Sequence, residues 1–300
     1  MKKPPLISII TLNYNQAQVT RDFLESCRNL TYPHYEILVC DMNSSERPHG
    51  IIRPEKFPHT SLYCSDRNLG FAGGNNWGMQ FAKGDYILLL NNDTEVTPDL
   101  IQQLLIPFEK DPQAGVVCPK INYFDQPERI QYAGFRPMNT VTGRTWAIGH
   151  QEIDTGQYNH ISITYGAHGA AMMVKREVID KIGRFPEKFF LYYEEWDWSA
   201  RIQKAGYKIY FQGNAVVYHK ESMSVGKSNP LKEYYLTRNR ILYMRRNSKG
   251  VKLLAFTAFF ALFTFPKTIL KHLAKGNLPF LKAFLRGIKD NLMMSSYSPV

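Results

Sequence analysis

Ile87-Leu88-Leu89-Leu90-Asn91-Asn92-Asp93-Thr94 is the stretch on which the fold turns: an aliphatic run fit for an interior stops on two amides and a carboxylate. A buried strand that surfaces into a turn has this composition, because Asn and Asp are ordinary turn residues. So does a strand that delivers oxygen ligands to a site. The surrounding pattern separates the two.

Working outward, strand-like and helix-like segments alternate over the first 120 residues. Leu6 to Leu12 reads as a strand, and Val19, Phe23, Cys27 and Leu30 recur at helical spacing. Tyr35 to Cys40, Ser61 to Cys64, Asp85 to Leu90 and Ala114 to Cys118 read as further strands. A helix is expected over Asn75 to Lys83, and another from Thr97-Pro98-Asp99 to about Lys110, with proline at its first position. Such alternation implies a parallel sheet covered on both faces, with ligands bound outside the carboxyl ends of its strands. Asn13-Tyr14-Asn15, Asp41-Met42-Asn43-Ser44-Ser45 and Asn91-Asn92-Asp93 then share one rim.

Further on, residues 126–161 are irregular, strand character returns from Ile163 to Val174, and Glu194 to Ala205 reads as a helix closed by Gly206. Lys plus Arg exceed Asp plus Glu by 37 − 26 = 11, and the excess lies at one end: residues 227–300 hold 14 basic and 2 acidic residues. Within them, residues 253–265 form a thirteen-residue apolar run bounded by Lys252 and Pro266-Lys267. Spanning a bilayer takes about 20 residues, so a flat-lying or re-entrant helix is expected. Lys267, Lys271, Lys275, Lys282, Arg286 and Lys289, interleaved with leucine and phenylalanine, suit an anionic membrane surface or a solvated face. No nucleic-acid motif accompanies the charge. Cys27, Cys40, Cys64 and Cys118 lack paired spacing and suggest buried thiols in a reducing compartment. A strand beginning at Leu6 argues against a secretory leader, so the body is expected in the cytoplasm.

Asp93 is a candidate ligand for a hard cation such as Mg or Mn, which takes carboxylate and phosphate oxygens. The glycine-dense segment from Asp66 to Gly78 reads as either a structural turn or a loop offering helix N-terminal N–H groups to phosphate. Glu194 and Glu195 stand among four aromatics, an environment that fits a carboxylate for accepting a proton. Asp197 with Arg201 is an ordinary helical pair. His219 follows the strand-like Ala215-Val216-Val217-Tyr218 and can project from its end.

In order along residues 6–245, the segments Ser8-Ile9-Ile10-Thr11-Leu12-Asn13-Tyr14-Asn15, Val39-Cys40-Asp41, Asn68-Leu69-Gly70-Phe71-Ala72-Gly73-Gly74-Asn75-Asn76, Leu90-Asn91-Asn92-Asp93, Gly169-Ala170-Ala171-Met172, Glu194-Glu195 and His219 resemble those of inverting family 2 glycosyltransferases. The chain is most similar to the rhamnosyltransferase-like branch that builds cell-surface polysaccharides. The resemblance implies a GT-A fold: a Rossmann-like, mostly parallel α/β sheet with helices on both faces, followed here by a basic helical extension. It divides the chain into a catalytic domain over 1–226, with a nucleotide-sugar half at 1–120 and an acceptor half at 121–226, and an extension over 227–300. It assigns Asp41 to the nucleobase, with Asn13, Asn15 and Asn68 in the donor pocket. Asp93, Asn91 and His219 take the metal positions, and Glu195 stands where most relatives carry the aspartate of a Glu-Asp pair, leaving Glu194 and Asp197 as substitute bases. The implied partners are a nucleoside-diphosphate sugar, a glycan acceptor that can be polyprenyl-diphosphate-linked, and the inner face of the cell membrane. Two rivals stand: a nucleotidyltransferase, which needs a glycine-rich basic loop where Asn13-Tyr14-Asn15-Gln16 stands, and an inactive glycan- or lipid-binding scaffold.

Overall fold

The computed structural model describes residues 4–46, 48–57, 59–220 and 229–299. The expected boundary between 226 and 227 lies outside the described residues.

The apolar runs form a ten-stranded sheet. β1 (Ile7–Asn13), β2 (Tyr35–Asp41), β3 (Thr60–Cys64) and β4 (Tyr86–Leu90) lie side by side in the order β3-β2-β1-β4, all parallel. α1 (Ala17–Cys27) and α2 (Gly70–Gly78) belong to this half. The α/β class is the one expected, but the second half of the sheet is mixed. β9 (Ala171–Lys175) runs antiparallel between β4 and β6 (Ala114–Tyr123), while β10 (Lys208–His219) is parallel to β6 and antiparallel to β5 (Thr94–Val96). β7 (Ile130–Tyr132) pairs with β6, and β8 (Ile161–Thr164) with β10. The strand expected from Ile163 to Val174 is therefore two strands, parted by the small residues around Gly166.

Two helix expectations need correction. α3 (Leu100–Lys110) starts after Thr97-Pro98-Asp99, so Pro98 is not at its first position; Asp99 is the N-cap, its carbonyl accepting from Gln103 N–H, and Leu100 N–H donates to the Thr97 carbonyl. α2 begins at Gly70, five residues before Asn75, so the glycines lie inside the helix. A β-carbon on Gly78 would sit 2.7 Å from Ile10 Cγ2 and 3.0 Å from Cys40 Sγ. The glycines let α2 lie directly on β1 and β2, an approach worth more here than the helix propensity they give up.

α4 (Arg176–Ile182) and α5 (Glu194–Lys204) precede the C-terminal helices α6 (Pro230–Asn247), α7 (Gly250–Phe259), α8 (Phe265–Ala274) and α9 (Leu278–Met293). A π-helical turn, Phe260–Thr264, joins α7 to α8 into one 25-residue helix, Gly250–Ala274. Pro266 was expected to end the apolar run; the wide turn before it absorbs the proline's steric clash and missing N–H, so the helix continues. By length and composition this helix can cross a membrane, which removes the length objection. The main core covers the sheet, and a second joins Phe189 and Trp196 to Leu242, Met244, Phe256, Phe260 and Phe284. The C-terminal helices thus share a core with α5.

Candidate active site

Strand register brings the first pair of polar groups together. β5 and β10 pair antiparallel with Thr94 opposite His219, which sets Asp93 beside the histidine. His219 Nδ1 lies 2.8 Å from the Gln131 amide oxygen and donates to it, so the opposite nitrogen turns to Asp93 Oδ1, 3.1 Å away. In the neutral imidazole that nitrogen is an acceptor facing a second acceptor, and a proton or a cation must lie between them. Both side chains are buried, which makes an unresolved clash of lone pairs costly.

This donor set fits a hard divalent ion only in part. Asp93 and His219 offer two ligands, and among the described residues no group of three or more His, Cys, Asp or Glu is placed to hold a metal. A cation here depends on oxygens brought by a ligand, the usual situation for Mg or Mn bound through phosphates. Asn91 uses its backbone to shape the turn: its N–H donates to the Ala170 carbonyl, and its carbonyl accepts from Thr94 N and Oγ1. Its side-chain amide makes no hydrogen bond among the described residues. Asn92 faces inward as a strut, donating to Thr20 Oγ1, which in turn donates to Asn13 Oδ1.

The chain of bonds continues to Asp41. Asn13 Nδ2 donates to Asp41 Oδ1 at 2.6 Å, and Asp41 also accepts from the Ser44 hydroxyl at 2.5 Å and from its backbone N–H. Asn15, in a left-handed conformation at φ 54°, accepts from Ser45 N–H and hydroxyl. Asn13 and Asn15 thus shape the loop around Asp41. Asn68 is exposed, and its side-chain oxygen accepts from Gly70 N–H. The reading of the glycine segment as a phosphate loop does not survive: the Phe190 carbonyl already accepts from Phe71 N–H at 2.7 Å and Ala72 N–H at 3.2 Å. Gly70 at φ +68° makes room for it, since a β-carbon there would lie 2.5 Å from that oxygen.

Glu194 and Glu195 open α5 behind a strained loop in which Phe190, Tyr192 and Tyr193 all have positive φ. Such residues cost about 1–3 kcal/mol each and persist only when held. α6 holds them: the Asn239 amide donates to the carbonyls of Phe189, Leu191 and Tyr192 at 2.9, 2.7 and 2.8 Å, and Arg238 to those of Lys188 and Phe189. Burial, then the charge of Glu195, pushes the Glu194 carboxyl well above its ordinary range. Burial lifts Glu195 to about 7, against opposing backbone hydrogen bonds. Each has one buried oxygen without a partner, and Glu195 is the more exposed of the two. Asp197, the other substitute base, is committed elsewhere: Arg246, Asn247 and Arg201 all donate to its buried carboxylate.

A pile of rings connects the two halves of the site. His219 packs edge-on to His168, His168 stacks on Phe135, and Phe135 meets Trp196 next to Glu195. Burial and the neighbouring His219 drive the His168 imidazole down to about 3, so it is neutral. Its Nδ1 accepts from Ala170 N–H. His168, Gln131, Thr20 and Asn239 escape sequence reasoning because each acts on another residue of the site and none carries a motif of its own.

The model of the family described as "Glycosyl transferase family 2" matches residues 8–183, more than half of the chain. The chain belongs to glycosyl transferase family 2. This glycosyltransferase is 27% identical over 238 residues to the O-antigen biosynthesis protein RfbC of Myxococcus xanthus, a match covering 73% of the chain and 18% of that protein. It is 25% identical over 213 residues to the low-salt glycan biosynthesis hexosyltransferase Agl10 of Haloferax volcanii, covering 68% and 63%. With N-acetylglucosaminyl-diphospho-decaprenol L-rhamnosyltransferase of Mycobacterium tuberculosis the identity is 22% over 249 residues, covering 74% and 78%. The glycosyltransferase thus matches less than two thirds of the length of RfbC and of Agl10. In fold it is similar to the mannosyltransferase PcManGT of Pyrobaculum calidifontis in complex with GDP-Man and Mn2+, with TM-score 0.61, 14% identity and coverage of 97% and 88%. GalNAc-T7 with UDP, GalNAc and Mn2+ gives TM-score 0.61 at 15% identity, covering 89% and 58%. These likenesses bear out the GT-A fold and the rhamnosyltransferase-like branch, and family membership leaves the nucleotidyltransferase reading without support.

Proposed function

We propose that this glycosyltransferase moves a sugar from a nucleoside-diphosphate-sugar donor to a hydroxyl of a lipid-linked glycan acceptor, with inversion at the anomeric carbon, in cell-surface polysaccharide assembly. The observation that carries the reading is the facing pair Asp93 and His219, on the rim that also holds Asp41 and tied by stacked rings to the helix of Glu195. The name of the decaprenol-dependent rhamnosyltransferase supports the acceptor class, and that of the O-antigen biosynthesis protein RfbC the polysaccharide role.

Asp93 and His219 would hold a divalent ion, Mg or Mn, which when bound offsets negative charge on the departing diphosphate. Gln131 fixes the His219 ring so that its Nε2 faces Asp93. Asp41, steadied by Asn13 and Ser44, marks the nucleoside end of the site. Glu195 takes the proton from the acceptor hydroxyl as it attacks; a group raised to about 7 is half-ionised at neutral pH and still basic enough to accept it. Glu194 beside it, held well above the ordinary carboxylate range by burial and by the charge of Glu195, resists ionisation. One base and direct displacement need no covalent intermediate, which is why inversion is expected. The exposed apolar face of helix Gly250–Ala274 and the exposed Lys267, Lys271 and Lys275 at its end suit the cytoplasmic face of the cell membrane.

The test is consumption of nucleoside-diphosphate sugars by the purified full chain with Mg or Mn. Turnover that EDTA and Asp93→Ala abolish supports the reading. Undiminished turnover by Asp93→Ala in EDTA overturns the metal assignment, and failure to bind or consume any nucleotide sugar overturns the reaction.

A further inference from the structure

The arginines of α6 are nearly all spoken for. Arg238 donates to two loop carbonyls, Arg245 to Asn291, and Arg246 to Asp197. Arg240 is the exception. It is 5% exposed, its Nη2 donates to Thr264 Oγ1 at 3.2 Å, and its buried Nε has no hydrogen-bond partner. The rings of Phe260 and Phe256 lie 5.2 and 5.7 Å from the guanidinium carbon, which eases the charge yet gives the Nε–H no acceptor.

Instead of a carboxylate, the backbone just before another cation packs on the Arg240 stem: a β-carbon on Gly143, the residue preceding Arg144, would lie 3.3 Å from Arg240 Cγ. Among the described residues neither Arg240 nor Arg144 takes part in an ion pair. Burial and then Arg144 pull Arg240 down to about 10. The backbone at Arg144 is anchored: Tyr193 Oη donates to the Gly143 carbonyl at 2.9 Å, and Asn139 N–H donates to the Arg144 carbonyl at 2.9 Å. Tyr193 lies two residues before Glu195, so its bond to Gly143 ties the backbone at Gly143 and Arg144, which packs on Arg240, to the start of the base's helix. A fold that buries one guanidinium, leaves its Nε–H orphaned and anchors the backbone of a second, exposed arginine beside it offers two positive charges that an anion can bridge.

We propose that Arg240 and Arg144 form a recognition site for the diphosphate of a prenyl-linked acceptor, seated between Glu195 and the long apolar helix. The inference rests on the transfer reaction proposed above and adds where the acceptor's charged group binds. Thr264, which Arg240 contacts, belongs to the π-helical turn of that helix, whose Leu254 and Leu262 are each 69% exposed. An amphiphile therefore finds charge at the arginines, an apolar path along the helix and the base for its sugar hydroxyl, all adjoining. Arginine forks match phosphate oxygens in pairs, which a glycan without phosphate cannot exploit.

The test uses the full chain in detergent with EDTA, so that no metal draws diphosphate to Asp93 and His219. Binding of farnesyl diphosphate, farnesol and phosphatidylglycerol is measured for the wild type, Arg240→Gln and Arg144→Gln. The expected result is that farnesyl diphosphate binds the wild type and loses about tenfold or more in affinity in Arg240→Gln, with a smaller loss in Arg144→Gln, while farnesol binding does not change. Arg144 is exposed, so its variant keeps the wild-type melting temperature and serves even if Arg240→Gln folds poorly. Equal affinity for farnesyl diphosphate in the wild type and Arg144→Gln overturns the proposal. Equal displacement by phosphatidylglycerol also overturns it, in favour of a headgroup site. Nucleotide-sugar binding by the wild type with Mn2+ is measured in parallel: its absence defeats the transfer reaction, whereas its presence with arginine-independent farnesyl diphosphate binding defeats only the acceptor site.

Discussion

Glu195→Gln removes the proposed base while keeping its shape, and the structure predicts that the loss of activity comes with a gain in stability at alkaline pH. Burial raises this carboxyl from an ordinary 4.5 to about 7 in the fold. A raised carboxyl stabilises the fold while protonated, below about pH 4.5, and gives that stability up as the pH climbs through about 7. At pH 8 the cost of the ionised side chain is about 3 kcal/mol, from roughly 1.4 kcal/mol per tenfold change in ionisation constant. The glutamine amide inherits an oxygen position without a partner, which takes back about 1 kcal/mol. The net is about 2 kcal/mol in favour of the variant at pH 8, or about 4 °C in melting temperature, vanishing or reversing at pH 5. Thermal melts of both proteins at the two pH values, beside the rate of sugar transfer, make the assay. Wild-type turnover by the variant, or a lower melting temperature than wild type at pH 8, would refute the reasoning.

Three further outcomes follow from the same geometry. The wild-type transfer rate should fall on the acid side with a midpoint near pH 7 as Glu195 takes up a proton, and a midpoint near 4.5 would show a solvated base. Asn239→Ala, which frees the carbonyls of Phe189, Leu191 and Tyr192, should lower kcat by about 100-fold with little change in donor KM; the opposite split would place Asn239 at the donor. Gly78→Ala forces a β-carbon against Ile10 and Cys40 and should cost about 1–3 kcal/mol in urea unfolding, and a neutral effect would mean α2 does not lie so close to the sheet.

Much of this site is legible in the sequence because strand direction is legible. Once Leu6 to Leu12, Tyr35 to Cys40 and Asp85 to Leu90 are read as parallel strands, Asn13, Asp41 and Asp93 must share a rim, and in the fold they do. Periodicity misses what depends on close approach. The glycines of α2 look like a loop because glycine disfavours helices, yet their missing side chains let that helix touch the sheet. The basic tail misleads for another reason. A count of charges cannot tell that Arg238 and Arg246 turn inward to hold the base loop and Asp197, while Lys267 and Lys271 face out. Pro266 bounds the apolar run in the sequence, which gives no sign of the π-helical turn that carries the helix on past it.

The measurement that bears most directly on the central claim is Mn2+ binding followed by electron paramagnetic resonance, with UDP, GDP or dTDP present or absent. Because Asp93 and His219 supply only two ligands, the wild type should take up Mn2+ tightly only when one of these nucleoside diphosphates is added. Asp93→Asn and His219→Ala should each abolish that uptake. Nucleotide-dependent Mn2+ uptake that survives both substitutions would place the metal, and the reaction, elsewhere in the molecule.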